Sequence, residues 1–147
     1  MRKLFCAIAV VLLCSFTNWH YNLDEAKQLA AKEHKYILLN FSGSDWCGPC
    51  IRMHKEIFDD PSFQQFAGST LVMVNADFPR NKKNQLSKDQ QALNDKMADE
   101  YNSQGAFPYT VLLDANGKVL KQWTGFPKGD VASFIEDIKE AIYAGSN

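Results

Sequence analysis

Two short, nearly unbroken apolar runs, YILLNFS at 36–42 and TLVMVNAD at 70–77, set the architecture of this chain. A strand wetted on one face alternates apolar with polar residues. A strand covered on both faces reads instead as a continuous apolar run. A segment with helical spacing lies between the two, so they read as parallel strands joined by a helical crossover. Such a sheet needs helices over both of its faces.

The remaining periodicities supply those helices. NLDEAKQLAAKEHK (22–35) places Leu23, Ala26, Leu29 and Ala30 on one side of a helix. CIRMHKEIF (50–58) keeps helical spacing through Ile51, His54 and Phe58, with Met53 and Ile57 alongside. Pro61 ends or kinks that helix, and PSFQQFA (61–67) is expected to add one further short turn. Within 87–101, Ser87 and Gln90 fit a capping box and Leu93, Met97 and Tyr101 form a stripe. YTVLLD (109–114) and KVLKQWT (118–124) flank Ala115-Asn116-Gly117, a hairpin signal. DVASFIEDIKEAIYA (130–144) starts on Asp130 as N-cap and lines up Val131, Phe134, Ile135, Ile138 and Ile142. The order of these elements predicts an α/β fold, a central mixed β-sheet flanked by helices on both faces.

A chain of 147 residues, 46% of them apolar and ten of them Phe, suits one folded domain with a sizeable core. Its net charge of −1, with Lys and Arg scattered, gives no footprint for nucleic acid. The densest basic run, Arg80-Asn81-Lys82-Lys83, is short and sits in a polar stretch, so it reads as a solvated loop.

The N-terminus differs from the rest. Arg2 and Lys3 precede thirteen uncharged residues, Leu4 to Phe16. That run has the size of a signal-peptide core and falls short of the roughly 20 apolar residues that span a bilayer. Residues 1–17 are therefore expected to be an export signal, with small residues at Ser15 and Thr17 allowing a cut before Asn18, and 18–147 to be the domain. Lipid attachment at Cys14 is a competing outcome, weakened by the bulky Leu13 before it; an uncleaved anchor is another. Of the four cysteines, Cys6 and Cys14 fall in this segment, which leaves one pair in the domain.

That pair stands in SDWCGPCIRMHK (44–55). As a structural staple it would be poor, because the stabilisation from a disulfide grows with the loop it closes and this loop is tiny. As a metal site it could recruit His54 beside Cys47 and Cys50, but a closed zinc site takes four ligands and no second CxxC or CxxH exists. Haem attachment would need His where Ile51 stands. Thiol chemistry suits the residues better. With Cys47 as N-cap of the following helix, its sulfur would lie among unpaired N–H groups at the positive end of the helix dipole, which favours the thiolate. Gly48 permits close approach of a partner chain, and Pro49 is tolerated in a first helical turn. Cys50, one turn on, can attack a disulfide formed at Cys47.

From about Asn22 to Tyr143 the chain resembles the thioredoxin superfamily, and within it exported bacterial disulfide reductases with a GSDWC lead-in. The resemblance rests on WCGPC (46–50), on FPYT (107–110), on the hairpin LLDANGKVLKQWTG (112–125), and on Gly125 before an amphipathic C-terminal helix. It implies a redox disulfide between Cys47 (nucleophile) and Cys50 (resolving thiol), with no cofactor and no metal. It also implies a cis-proline at Pro108, backbone groups of Phe107-Pro108 that pair with an extended substrate, a groove shaped by Trp46, and room for the substrate at Gly125. The implied partners are protein disulfides and, outside the cytoplasm, a membrane protein that returns electrons. The periplasm is the implied location. CGPC matches reducing thioredoxins, so the expected activity is reduction; an oxidase or isomerase, or a non-catalytic adaptor of the same fold, is the alternative.

Two departures from the family stand out. The buried Asp that accepts a proton from the resolving cysteine is replaced by Asn40, or by Phe41 if the lead-in carries no insertion, leaving Asp45 or Glu56 to assist through water. The segment 78–105 is longer than its family counterpart and is expected to be a surface loop rather than a specificity element.

Overall fold

The computed structural model describes residues 17–146. The expected export segment, with Cys6 and Cys14, lies outside the described residues apart from Thr17. The elements in order are β1 (Trp19–His20), α1 (Leu23–Glu33), β2 (Tyr36–Ser42), α2 (Gly48–Met53), α3 (Pro61–Thr70), β3 (Leu71–Asp77), α4 (Lys88–Tyr101), β4 (Tyr109–Leu113), β5 (Val119–Thr124) and α5 (Val131–Gly145).

The two apolar runs form β2 and β3, which pair in parallel with Leu38 opposite Met73 at the middle of the sheet. The sheet order is β1-β3-β2-β4-β5, with β4 antiparallel to β2 and β5 antiparallel to β4. Alternation along β2 divides the core. Leu38 packs with Met53, Phe58, Phe63, Phe134 and Ile138 on the face covered by α2, α3 and α5. Ile37, Leu39 and Phe41 pack with Leu23, Ala26, Ala30 and Met97 on the face covered by α1 and α4. Burial of each large side chain contributes about 1.5–3 kcal/mol, and Phe41, Phe58, Phe63 and Phe134 are among the largest fully buried ones.

Four local readings need correction. The two-residue β1 was not expected; it pairs with β3 through Trp19 and His20 and is too short to show a period. PSFQQFA does not stop at one turn but runs into the ten-residue α3, capped by Asp60 and carrying Phe63 and Ala67 inward. The helix after the cysteines does not stay regular: α2 passes into a π-helical turn, His54–Phe58, closed by the Asp59 N–H on the His54 carbonyl at 2.9 Å. Within that wider turn the neighbours Ile57 and Phe58 are both buried. The capping box of α4 is half made. Ser87 Oγ accepts from Gln90 N at 3.2 Å, while the Gln90 amide donates to the Tyr21 carbonyl and to Asn94 Oδ1.

Candidate active site

β2 ends at Ser42, and residues 43–46 carry the chain from the end of this central strand to the start of α2. The turn is made where Gly43 lies under the Trp46 indole; a Cβ there would collide with the ring. Ser44 donates from its N–H and its hydroxyl to Asp77 at the end of β3, which ties the turn to the neighbouring strand. Cys47 is the N-cap of α2, with extended backbone, and its Sγ accepts from Cys50 N at 3.3 Å. The Cys47 and Cys50 sulfurs are bonded to each other, with the Cα atoms 5.2 Å apart. Both cysteines are buried, Cys47 at 5% exposed and Cys50 at 1%, so Cys47 is the less buried of the two. Gly48 and Pro49 between them are exposed.

Around this pair the chain gathers residues from distant segments. Phe107-Pro108 is a cis peptide, Pro108 is buried, and its carbonyl accepts from Gly125 N at 2.8 Å. Gly125 has φ +81°, a conformation that suits glycine, and open space where a side chain would stand. The Phe107 ring meets Trp46 edge-on at 5.4 Å and Phe78 at 5.6 Å. The Trp46 Nε1 donates to the Phe78 carbonyl at 2.7 Å. Trp46, Cys47, Phe107, Pro108 and Gly125 are thus linked through direct contacts or chain continuity into one connected set that includes one half of the disulfide.

The segment 78–105 is an exposed loop in its early part, as expected, but one that is anchored. Its first part, residues 78–84, straps across the motif, and its second part is mostly α4. The Asp45 carboxylate anchors the strap, accepting from Arg80 N, Asn81 N and Asn84 Nδ2, each at 2.9 Å. Those donors, the Arg80 N–H first and the Asn84 amide second, hold the Asp45 pKa down to about 2. The Arg80 guanidinium lies 3.6 Å from the centre of the Trp46 ring, so the basic run is not simply solvated at its first residue. The anchoring donors are mostly backbone N–H groups, which every residue except proline has, and this is why the sequence concealed them.

Beneath the motif the strand parity settles the departure at β2. Asn40 faces the same side as Leu38, under α2, whereas Phe41 belongs to the core of the opposite face. Asn40 is 1% exposed; its Oδ1 accepts from Thr110 Oγ1 and its Nδ2 donates to Asn75 Oδ1, both at 3.2 Å. Asn40 thus joins Asn75 and Thr110 in a buried polar network that contains no carboxylate. Asp45 is engaged with the strap, and Glu56 accepts from Arg52 Nε with both oxygens at 3.0 Å. His54 contacts the rings of Trp19 and Phe58, each at 5.2 Å. Burial lowers its pKa, against the pull of Asp59 and Asp77. Among the described residues, no group of three or more His, Cys, Asp or Glu is placed to hold a metal ion.

The sequence reading missed Gly43, Asp77, Phe78 and Arg80 around the site, and Asn75 and Thr110 beneath it. The signal for the first of these was a glycine three residues ahead of a tryptophan, at the point where an apolar run stops.

A bonded pair of cysteines at a helix start, beside a cis-proline loop on a five-stranded mixed sheet, defines a thiol–disulfide exchange protein, and the chain belongs to the thioredoxin-like family, whose domain model matches residues 23–139. Relatives within it are more particular. Over 118 residues the chain is 39% identical to the disulfide bond reductase DsbH of Chlamydia pneumoniae, covering 80% of this chain and 69% of that protein. A solved DsbH oxidoreductase superposes with a TM-score of 0.81 at 32% identity, covering 97% of this chain and 95% of that one. The thioredoxin-related protein DsbJ of Chlamydia pneumoniae is 33% identical over 64 residues, 44% of this chain and only 18% of that protein.

Proposed function

We propose that this protein reduces protein disulfides outside the cytoplasm, cycling between the Cys47/Cys50 dithiol and the disulfide. The observation that carries the reading is the disulfide between Cys47, the N-cap of α2 and the less buried of the pair, and Cys50 in the first turn of that helix. In the reduced protein the Cys47 thiolate attacks one sulfur of a client disulfide. A mixed disulfide forms, and the first client sulfur leaves as a thiolate that takes a proton from water. Cys50, deprotonated, then attacks Cys47 Sγ; the Cys47–Cys50 bond forms and the second client sulfur leaves. Two electrons pass to the client, and an external dithiol must return them. A membrane protein is the partner proposed for that step.

The N–H of Cys50, aimed at Cys47 Sγ, favours the thiolate that attacks the client. Phe107 and Pro108 present backbone to an extended client segment, Trp46 walls the groove, and Gly48, Pro49 and Gly125 leave the approach open. This assignment is supported by the exposure of Gly48 and Pro49 and by the contact of Phe107 with Trp46. With Asn40 beneath the motif, the Cys50 proton passes to water rather than to a buried carboxylate. Residues 1–17 act as the export signal, supported by two basic residues before an apolar run.

The test is insulin reduction driven by dithiothreitol, combined with redox equilibrium against glutathione. Catalysis is expected, with a potential near the roughly −270 mV of thioredoxins rather than the roughly −120 mV of strong oxidants. Cys47→Ser should abolish turnover, and Cys50→Ser should accumulate the mixed disulfide. A potential at the oxidising end would instead make the protein an oxidase or isomerase.

A further inference from the structure

Two arginines stack on aromatic rings around the motif, and they differ in what their donors meet. Arg52 lies 4.2 Å from the centre of the Phe126 ring, and its Nε already serves both oxygens of Glu56. Arg80 lies on Trp46, next in sequence to Cys47, and meets no carboxylate among the described residues. Stacking uses the face of a guanidinium and leaves its N–H fork free in the plane, where it matches a carboxylate. The backbone that carries it is also held in place. Pro79 restricts the chain before it, and Asp45 fixes the N–H groups of both Arg80 and Asn81. A donor that starts from an anchored backbone and rests on a ring loses less freedom on binding than one on a loose chain.

We propose that Arg80 is a specificity-determining residue, which pairs with an Asp or Glu side chain flanking the reactive cysteine of the client. The proposal rests on the disulfide-reductase reading above and adds the chemistry of the client. The Asp45-anchored strap presents the cation over the wall of the groove, so a client segment lying along the Phe107-Pro108 loop passes beside it. The partner class is a protein segment with an acidic residue next to its disulfide.

The test uses the reduced protein in single-turnover reactions with disulfide-linked dimers of a short peptide. Its one cysteine is flanked on both sides by Asp, by Ser or by Lys, and each rate is divided by the rate of dithiothreitol with the same peptide. Exposed charge pairs are weak and salt-screened, so the corrected Asp-to-Lys rate ratio is expected to be about threefold or more at low ionic strength and to approach one in about 1 M salt. Arg80→Met should bring the ratio to about one, and Arg80→Glu should invert it, a result that only a folded site can give. Lys32→Met, which removes a charge from α1, should leave the preference intact. A wild-type ratio equal to that of Arg80→Met, or an Arg80→Glu protein still favouring Asp, overturns the proposal. Failure of the wild-type protein to reduce any of the peptides would overturn the reductase reading itself, and the proposal with it.

Discussion

Asn40 shows how far a single side chain can be understood from its surroundings. It is 1% exposed, and its amide joins Thr110 on β4 to Asn75 on β3. Asn40→Asp would put a carboxyl group of nearly the same shape into that desolvated place, and burial raises a carboxyl pKa above its unfolded value near 3.9. The folded variant then binds its proton more tightly than the unfolded chain does. Relative to wild type, its stability should be unimpaired by ionisation below about pH 4 and should fall as pH rises through the raised value. The loss is about 1.4 kcal/mol for every tenfold difference in proton affinity between the folded and unfolded chains. Urea unfolding of both proteins across that range measures the difference; parallel curves would mean that the site is not desolvated. Sequence alone pointed to Asn40 or Phe41 and had no means to choose. Strand parity chose, because residues one apart face opposite sides of the sheet.

At the scale of elements, the strap 78–84 makes a prediction in acid. Asp45 has its pKa lowered to about 2 by the strap's donors. A lowered carboxylate contributes stability that is complete above its ordinary value near 3.8 and is lost as pH falls through about 2. Asp45→Asn should therefore flatten the fall in stability across that window while leaving the slope above it unchanged. The comparison is made by denaturant midpoints at each pH, and an unaltered acid slope would mean that the anchor is not formed in solution. His54, whose pKa burial lowers, acts in a separate window: its contribution is whole above the ordinary imidazole value near 6.5 and is lost as pH falls through the lower folded value. Both elements were only partly legible. The helical spacing of 50–58 found the helix but not the widening at His54, and the polarity of 78–84 suggested water where the chain meets Trp46.

For the whole molecule, the order of elements places the disulfide just beyond the end of the central strand β2, with β4 and β5 carrying Phe107-Pro108 and Gly125 to the same end of the sheet. The export reading belongs to this scale as well. Full-length protein expressed in a bacterium should appear outside the cytoplasm with Asn18 as its first residue, by mass spectrometry of the purified product. A product that still begins at Met1 and stays in the cytoplasm would remove the export reading, and with it the need for a membrane electron donor. Among the described residues, no helix is long and apolar enough to cross a membrane.

The sequence by itself determined the sheet class, the covering helices and the thiol pair. Each is written in neighbouring residues: unbroken apolar runs, a helical period, and two cysteines one turn apart. Tertiary structure alone decided the strap tied to Asp45 and the polar network around Asn40. The bonds from Asp45 to Arg80 and Asn81 span 35 and 36 residues, and the Asn40–Thr110 bond spans 70. Contacts at that range depend on how strands pair and which face each residue takes, and no local pattern of side chains records either.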